Sequence, residues 1–466
     1  MNRQSEMLIA FSFENILSFK NNQNFSLLAT NKKKDNILHN NYFSVSEKDN
    51  LLKSALIFGA NGSGKTNILA CLSNMYSIVI RSLETLKSSE IRYLPPFLLD
   101  NDSRGKASEY EIEFLAKNNI KYRYGFSLKH NVIEEEWLYY TPRIRETNLF
   151  HRKNNSVEVN KNFDEATSFV DKDSQILKTK ENVPFLSVLA SFDGMHSNAI
   201  VDCFLSFNFF DINNEENDLK ETLLLWRDNE DFREWALPVL NSIGIQDLRF
   251  KNHSMATIEE LKRKVLDGKE KINSLSINND DIKDKAQNLF DGLFDLISST
   301  PIDADKVEAD IDISTLKLIR IINGEEFPLP FALESSGTQK LLHLLGAMYI
   351  ACKNDKILVI DEFDVKFHTL LSKYIFKLFH NCSGSGQIIV TVHDTNLMDT
   401  EYFRRDQIWL MNKNERGESQ IYSLVEFKEL SSNILNKNYS SEYLKGFYDA
   451  IPLFDDNDAL DLMGED

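Results

Sequence analysis

The sequence predicts an α/β fold: a strand-rich lobe, a core built on a mostly parallel sheet, and a helical insertion between parts of that core. Three observations carry this prediction. Short apolar runs, ALIFG (55–59), ILVIDE (357–362) and IIVTVH (388–393), read as buried parallel strands, each ending in a polar or glycine tip. Residues 7–29 and the segments 109–116, 121–128 and 132–140 alternate apolar and polar, with NN and HN between them at hairpin positions, as antiparallel strands do. From about 165 to 300 apolar residues recur at helical spacing, as in NAIVDCFLSF, LKETLLLW and FREWALPVL. Strands return after Pro301 with KLIRIING, and alternation with helices then assigns the later strands to a mostly parallel sheet.

A chain of 466 residues, 42% hydrophobic and 27% charged, can bury a sizeable core. Four stretches are expected: a first lobe (1–160), a helical insertion (161–300), a second lobe (301–430) and a C-terminal segment with an acidic tail (431–466). The net charge of −18 argues against nucleic-acid binding through a broad basic surface and leaves DNA only a local patch. Lys32, Lys33 and Lys34 read as a solvated loop, with a contact site as the sharper alternative. Residues 258–275 (IEELKRKVLDGKEKINSL) read as a solvent-bridging helix or as a short coiled-coil partner arm. Cys71, Cys203, Cys352 and Cys382 form no CxxC pair, which argues against structural zinc and a disulfide framework. They read as free core thiols of a reducing cytosol. No apolar run reaches about 18 residues, so no membrane span or signal peptide is expected, and the predicted location is cytoplasmic.

Residues 59–66 read GANGSGKT, between the strand LIF and a helix beginning near Lys65. A glycine-rich turn that opens a helix aims backbone N–H groups and the positive end of the helix dipole at a phosphate. Gly59, Gly62 and Gly64 permit that turn, and Lys65 supplies a cation for the β- and γ-phosphates. The Thr66 hydroxyl can ligate Mg²⁺, and Ala60, Asn61, Ser63 and Asn67 are expected to complete the nucleotide-binding set. The cofactors expected are therefore ATP and Mg²⁺.

Two further strands supply the chemistry. Asp361, at the end of ILVID, is placed to hold Mg²⁺, and Glu362 beside it to orient or deprotonate the attacking water. His393 ends the next strand. A lone histidine there reads either as a satisfied core residue or, beside the same crevice, as a γ-phosphate contact, and the second reading is preferred. Residues 334–340 (ESSGTQK) open another helix with small polar residues, again the pattern of a backbone that touches a phosphate. The first loop already occupies its own nucleotide, so Ser335, Ser336 and Gly337 are expected to serve the nucleotide of a second copy. The result is a head-to-tail homodimer.

The order GANGSGKT, ESSGTQK, ILVIDE, IIVTVH resembles the ABC-type P-loop ATPase head in the branch shared with SMC proteins, where ESSGTQK stands at the signature position. NILSFK, YRYGFSL, IDEFDVKFH, VTVHDTNLMD and YLKGFYDAIP are similar to the AAA-type, OLD-like ATPases of abortive-infection and anti-phage operons, including those of the PARIS system and the Rlo type. The resemblance implies a sensor or scaffold ATPase that holds a separately encoded toxic effector, often a Toprim-like nuclease, and responds to a phage-derived trigger. It extends the homodimer to a higher homo-oligomer. It also places Asp364 near the D-loop and a Q-loop equivalent near residues 95–100, and it makes His368 a common family position, read here as structural. The alternative from a different class is a DNA-repair or DNA-maintenance ATPase that clamps DNA.

Overall fold

The computed structural model describes residues 5–30, 38–46, 49–84, 93–170, 179–210, 215–252, 263, 265–267, 311–427 and 438–451. Lys32–Lys34, most of 258–275 and the acidic tail lie outside the described residues. The chain divides into two compact units, Met1–Glu215 with Ala347–Asp466, and Glu216–Gly346.

The first unit begins with β1 (Met7–Glu14), β2 (Gln23–Ser26), the small hairpin β3 (Tyr42–Ser44) and β4 (Asn50–Leu52), β5 (Ser54–Gly59) and helix α1 (Lys65–Glu84). Next come β6 (Ser108–Leu115), β7 (Lys121–Lys129), β8 (Val132–Thr141), β9 (Thr147–Lys153) and β10 (Ser156–Val159). Helices α2 (Phe185–Ala190) and α3 (Met195–Phe204) then lead to β11 (Phe207–Phe210). An antiparallel sheet takes the order β10-β9-β8-β7-β6-β1-β2. Burial alternates along β6, with Tyr110, Ile112 and Phe114 inward, because one face packs and the other meets water. His130 and Asn131, at φ 49° and 65°, form the two-residue turn from β7 to β8, a geometry matched to the twist of the flanking strands. Gly125 of β7 lets the Trp137 indole lie on the backbone, since a Cβ there would sit 2.6 Å from the ring.

One buried ion pair anchors this sheet to the helices. Glu136 of β8 accepts from the N–H groups of Phe185 (2.7 Å) and Leu186 (2.9 Å), from the Tyr124 hydroxyl (3.0 Å) and from Arg152 (3.3 Å). Burial raises the Glu136 carboxyl, and Arg152 pulls it back down. Such a pair is costly to bury but far costlier to break on one side.

The second unit holds α4 (Glu215–Asp228), α5 (Glu230–Ser242), β12 (Asp247–Asn252), β13 (Ile311–Ile322), β14 (Glu325–Pro330) and the first part of α6 (Ser336–Lys353). Asn229 caps α5 by accepting from the Phe232 N–H at 2.9 Å. Gly346 lets α6 approach α4: its N–H donates to Thr222 Oγ1 at 2.9 Å, and a Cβ would meet that oxygen at 2.6 Å. The strands pair antiparallel in the order β12-β13-β14.

The chain then completes the first unit with β15 (Ile357–Ile360), α7 (Thr369–His380), β16 (Gln387–Thr391), β17 (Ile408–Lys413), β18 (Ser419–Ser423) and α8 (Tyr439–Leu444). The second sheet runs β11-β15-β16-β5-β17-β18, parallel except for β18. β5, β15 and β16 are buried at every residue, as interior parallel strands must be. Among the described residues no helix is long and apolar enough to cross a membrane.

Three expectations are corrected. The region read as helical also carries β11 and β12, because strands of four and six residues following helices leave too little length for a change of period to show. KLIRIING lies in β13, in the antiparallel sheet of the second unit rather than in the parallel one. Cys352 and Cys382, expected as free thiols, form a disulfide, brought together at the C-terminal ends of α6 and α7, while Cys71 and Cys203 are free and buried.

A pH dependence follows from α7. His380 is fully enclosed, its Nε2 lies 2.9 Å from Ser54 Oγ, and burial, helped by the Lys53 charge, lowers its pKa to about 3. The unfolded chain binds that proton near pH 6.5 and the folded chain does not until about 3, so stability is lost on acidification through that window. The expected slope is about 1.4 kcal/mol per pH unit from this residue. Urea unfolding of wild type and His380→Gln between pH 6.5 and 4.5 measures it; equal slopes would remove His380 as the cause.

Candidate nucleotide-binding and hydrolysis site

The first-unit residues expected to form the phosphate loop and the hydrolytic set fall at or just after the C-terminal ends of parallel strands. Residues 59–66 follow β5, Asp361 and Glu362 follow β15, and His393 follows β16. β15 and β16 are neighbours, and β16 pairs with β5, so the sheet gathers these tips along one edge.

The loop is shaped by its backbone. Gly62 and Gly64 have φ of 76° and 113°, values open to glycine at no steric cost. Ser63 N–H donates to the Ala60 carbonyl at 3.1 Å, closing a tight turn. Neighbouring hydroxyls fix the far side: Ser419 Oγ donates to the Ser63 carbonyl at 2.6 Å, and Asn67 donates to Ser18 Oγ at 2.8 Å. A Cβ on Gly64 would meet the Ser419 Oγ at 2.7 Å, so the loop lies flat against these serines. Asn61, Gly62 and Thr66 are exposed.

Lys65 is buried, with its ammonium donating to the carbonyls of Gly59 (2.7 Å) and Ala60 (3.1 Å). Burial lowers its pKa, while Asp361, Asp364 and Glu362 act against that shift. Their influence places the strand-end carboxylates within electrostatic reach of the loop cation.

Those carboxylates are held by Thr391, the last residue of β16. Its Oγ1 donates to Asp361 Oδ1 and accepts from the Glu362 N–H at 2.8 Å. Glu362 is exposed and has φ of 50°, an uncommon conformation for a side chain of its size, kept in place by this tether and by Phe363 N–H donating to the Thr391 carbonyl at 3.0 Å. Asp364 Oδ2 accepts from the backbone N–H groups of His393 (2.8 Å) and Asp394, which ties the exit of β15 to the exit of β16. The His393 side chain is exposed rather than part of the core. His368 caps α7, its Nδ1 accepting from the Leu370 N–H at 3.2 Å.

Ser335, Ser336 and Gly337 lie in the second unit. Ser335 caps α6 by accepting from the Thr338 N–H at 3.2 Å, and Glu334 is gripped by both nitrogen–oxygen contacts of Arg320, at 2.8 and 2.7 Å. Ser335 and Ser336 are exposed.

Sequence reasoning missed Thr391, Ser419 and Ser18, which have no motif of their own. Thr391 carried one signal, since a threonine ends the apolar run directly beside the acidic pair's neighbouring strand.

A glycine loop after a central parallel strand, a lysine at its helix start and a carboxylate pair two strands away make the P-loop core of an AAA-type ATPase domain. Residues 54–399 match the family described as "AAA domain, putative AbiEii toxin, Type IV TA system", and the chain belongs to that family. Among solved structures it is similar to the SMC head domain from Thermotoga maritima, at 12% identity and a TM-score of 0.40, over 89% of this chain and 98% of that one. It is also similar to the Smc head domain with an extended coiled coil bound to the C-terminal domain of ScpA, derived from Pyrococcus furiosus, at 13% identity and a TM-score of 0.39, over 90% and 96%. No curated protein matches the sequence.

The family implies a nucleotide and Mg²⁺, and the residues fit both. Ser63 Oγ and Asp364 Oδ1 are buried polar atoms without a protein partner, one in the loop and one beside the carboxylates. Among the described residues no three His, Cys, Asp or Glu side chains cluster as a metal cage. Mg²⁺ binds through one or two protein oxygens together with phosphate oxygens, and Thr66 and Asp361 would supply the protein oxygens here. When bound, the ion supplies charge to the phosphates.

The tether and the cation should separate in kinetics. Thr391→Val removes a donor to Asp361 and an acceptor for the Glu362 N–H, and is expected to lower kcat about tenfold while ATP affinity changes little. Lys65→Ala is expected to weaken ATP binding about 10- to 100-fold. Titration calorimetry with a phosphate-release assay measures both; Thr391→Val that loses affinity but keeps kcat would assign Thr391 to binding instead.

Proposed function

We propose that this chain is an ATP-gated switch of a bacterial anti-phage, abortive-infection system. It binds and hydrolyses ATP at sites shared between copies, and it holds a separately encoded toxic effector until a phage-derived trigger arrives. The observation that carries the ATPase part is the set of carboxylates, Asp361 and Glu362, within electrostatic reach of Lys65 at one sheet edge. The family description, with its abortive-infection toxin and type IV toxin–antitoxin system, supports the defence setting. The resemblance to the PARIS and Rlo-type ATPases favours a Toprim-like nuclease as the effector.

In this reading Lys65 and the loop N–H groups bind the phosphates, Glu362 orients the attacking water, and His393 contacts the γ-phosphate. The exposed start of α6, with Ser335, Ser336 and Gly337, closes on the nucleotide of a second copy through its hydroxyls and helix dipole. ATP then joins the copies, and hydrolysis parts them.

Mixing variants tests the shared site. Lys65→Ala and Ser335→Arg are each expected to be inactive alone, and an equimolar mixture should recover part of the ATPase rate because one intact composite site forms. Two folded, co-assembling variants that stay inactive together would overturn the head-to-tail arrangement.

A pull-down from the native host tests the partner. Tagged Glu362→Gln, expected to bind ATP and hydrolyse it slowly, should retain a nuclease-like protein that Lys65→Ala does not. DNA without a protein partner would favour the clamp reading. Growth arrest caused by this chain alone would make it the toxin and overturn the scaffold role.

A further inference from the structure

We propose that the segment Asn438–Ile451 is a positioning element for the phosphate loop, acting through the Ala450 carbonyl on the Gly59–Ala60 peptide and thereby on Lys65. This rests on the nucleotide-binding reading of residues 59–66. The Gly59–Ala60 peptide is used on both sides. Its N–H, that of Ala60, donates to the Ala450 carbonyl at 3.2 Å, and its carbonyl, that of Gly59, accepts from the Lys65 ammonium at 2.7 Å. A shift of Ala450 therefore tilts the peptide plane that helps to hold the loop cation.

Ala450 is itself held in place. The Tyr443 hydroxyl donates to the same carbonyl at 3.2 Å, so that oxygen serves two donors. Tyr422, on β18, donates to the Tyr448 carbonyl, and the Tyr448 hydroxyl donates to Glu442. Tyr443, Tyr448 and Ala450 are buried. After α8 the chain turns through Gly446 at φ 79°, with Gly446 N–H donating to the Tyr443 carbonyl (2.9 Å) and Phe447 N–H to the Glu442 carbonyl (3.1 Å). This helix-ending motif fixes the path of the segment towards the loop. Burial pushes the Tyr443 phenol up to about 12, so its hydroxyl keeps its proton at working pH.

β18 makes the grip two-handed. Ser419 holds the loop at Ser63, and Tyr422, on the same strand, holds the segment that reaches Ala60. A loop fixed at both points is preorganised for phosphate, and a preorganised site binds with less ordering cost.

The test uses the full-length chain and two readouts. Tyr443→Phe is expected to raise the ATP Kd and KM about three- to tenfold with kcat changed less than twofold. Hydrogen exchange of the amides at residues 59–64, measured without nucleotide, should accelerate. Tyr124→Phe, which removes a buried hydroxyl bonded to Glu136 in the other sheet, serves as the stability control and should leave both readouts unchanged. If Tyr443→Phe does not fold, Tyr422→Phe carries the same expectation. Wild-type Kd and loop exchange in the folded variant would overturn the proposal. A wild-type protein that binds no ATP would instead refute the nucleotide-binding reading, while loop exchange would still decide whether the segment positions the loop.

Discussion

An ammonium group removed from water must find oxygens to replace it. In the first unit that requirement falls on Lys65, and much of the surrounding architecture answers it. Two loop carbonyls take its protons, and three carboxylates stand within electrostatic reach. The carbonyls belong to a turn that exists only because glycines accept φ values of 76° and 113°. The carboxylates stand where they do because β15 joins the same parallel sheet as β5, with β16 between them. Disturbing the turn would remove its hydrogen-bond acceptors, and disturbing the strand order would remove the opposing charges.

The second layer of control is made of small hydroxyls. Thr391 bridges Asp361 to the Glu362 backbone, and Ser419 bridges β18 to the loop. A hydroxyl suits these places because it donates and accepts at once and is short enough to sit between backbones. Ser419 sits close against the loop, since a single added carbon at Gly64 would already collide with its hydroxyl. The same principle holds in the antiparallel sheet, where Tyr124 and two backbone N–H groups keep Glu136 satisfied beside Arg152.

Much of this was legible in the sequence because the underlying constraints are local. GANGSGKT needs its glycines and its lysine whatever surrounds it, and ILVID must be apolar because a middle strand of a parallel sheet has no wet face. The HN turn between β7 and β8 was readable for the same reason, since both residues tolerate positive φ. What escaped depends on partners far along the chain. β11 is four residues long and pairs with β15, about which its own composition says nothing. β13 looked like a member of the parallel sheet, but pairing with β12 and β14 decided its place. Cys352 and Cys382 meet only because two helices end side by side. The Ala450 contact uses a backbone carbonyl, which no residue type can advertise.

The start of α6 shows how one residue can meet a structural demand and a proposed chemical one together. Ser335 accepts from the Thr338 N–H, and that uses a lone pair and not its proton. Capping alone would be served equally well by aspartate or asparagine. An aspartate, however, would place a negative charge against any phosphate brought to the helix start, and it has no proton to give. Serine keeps the cap and retains a proton, and its Oγ lies 3.0 Å from Thr338 Oγ1, where either hydroxyl can donate. Glu334 carries a negative charge beside the helix start, and Arg320 pairs it through two contacts, which reduces its repulsion of any anion. The acidic residue in ESSGTQK is therefore compatible with the proposed role, because its charge is already matched within the same unit.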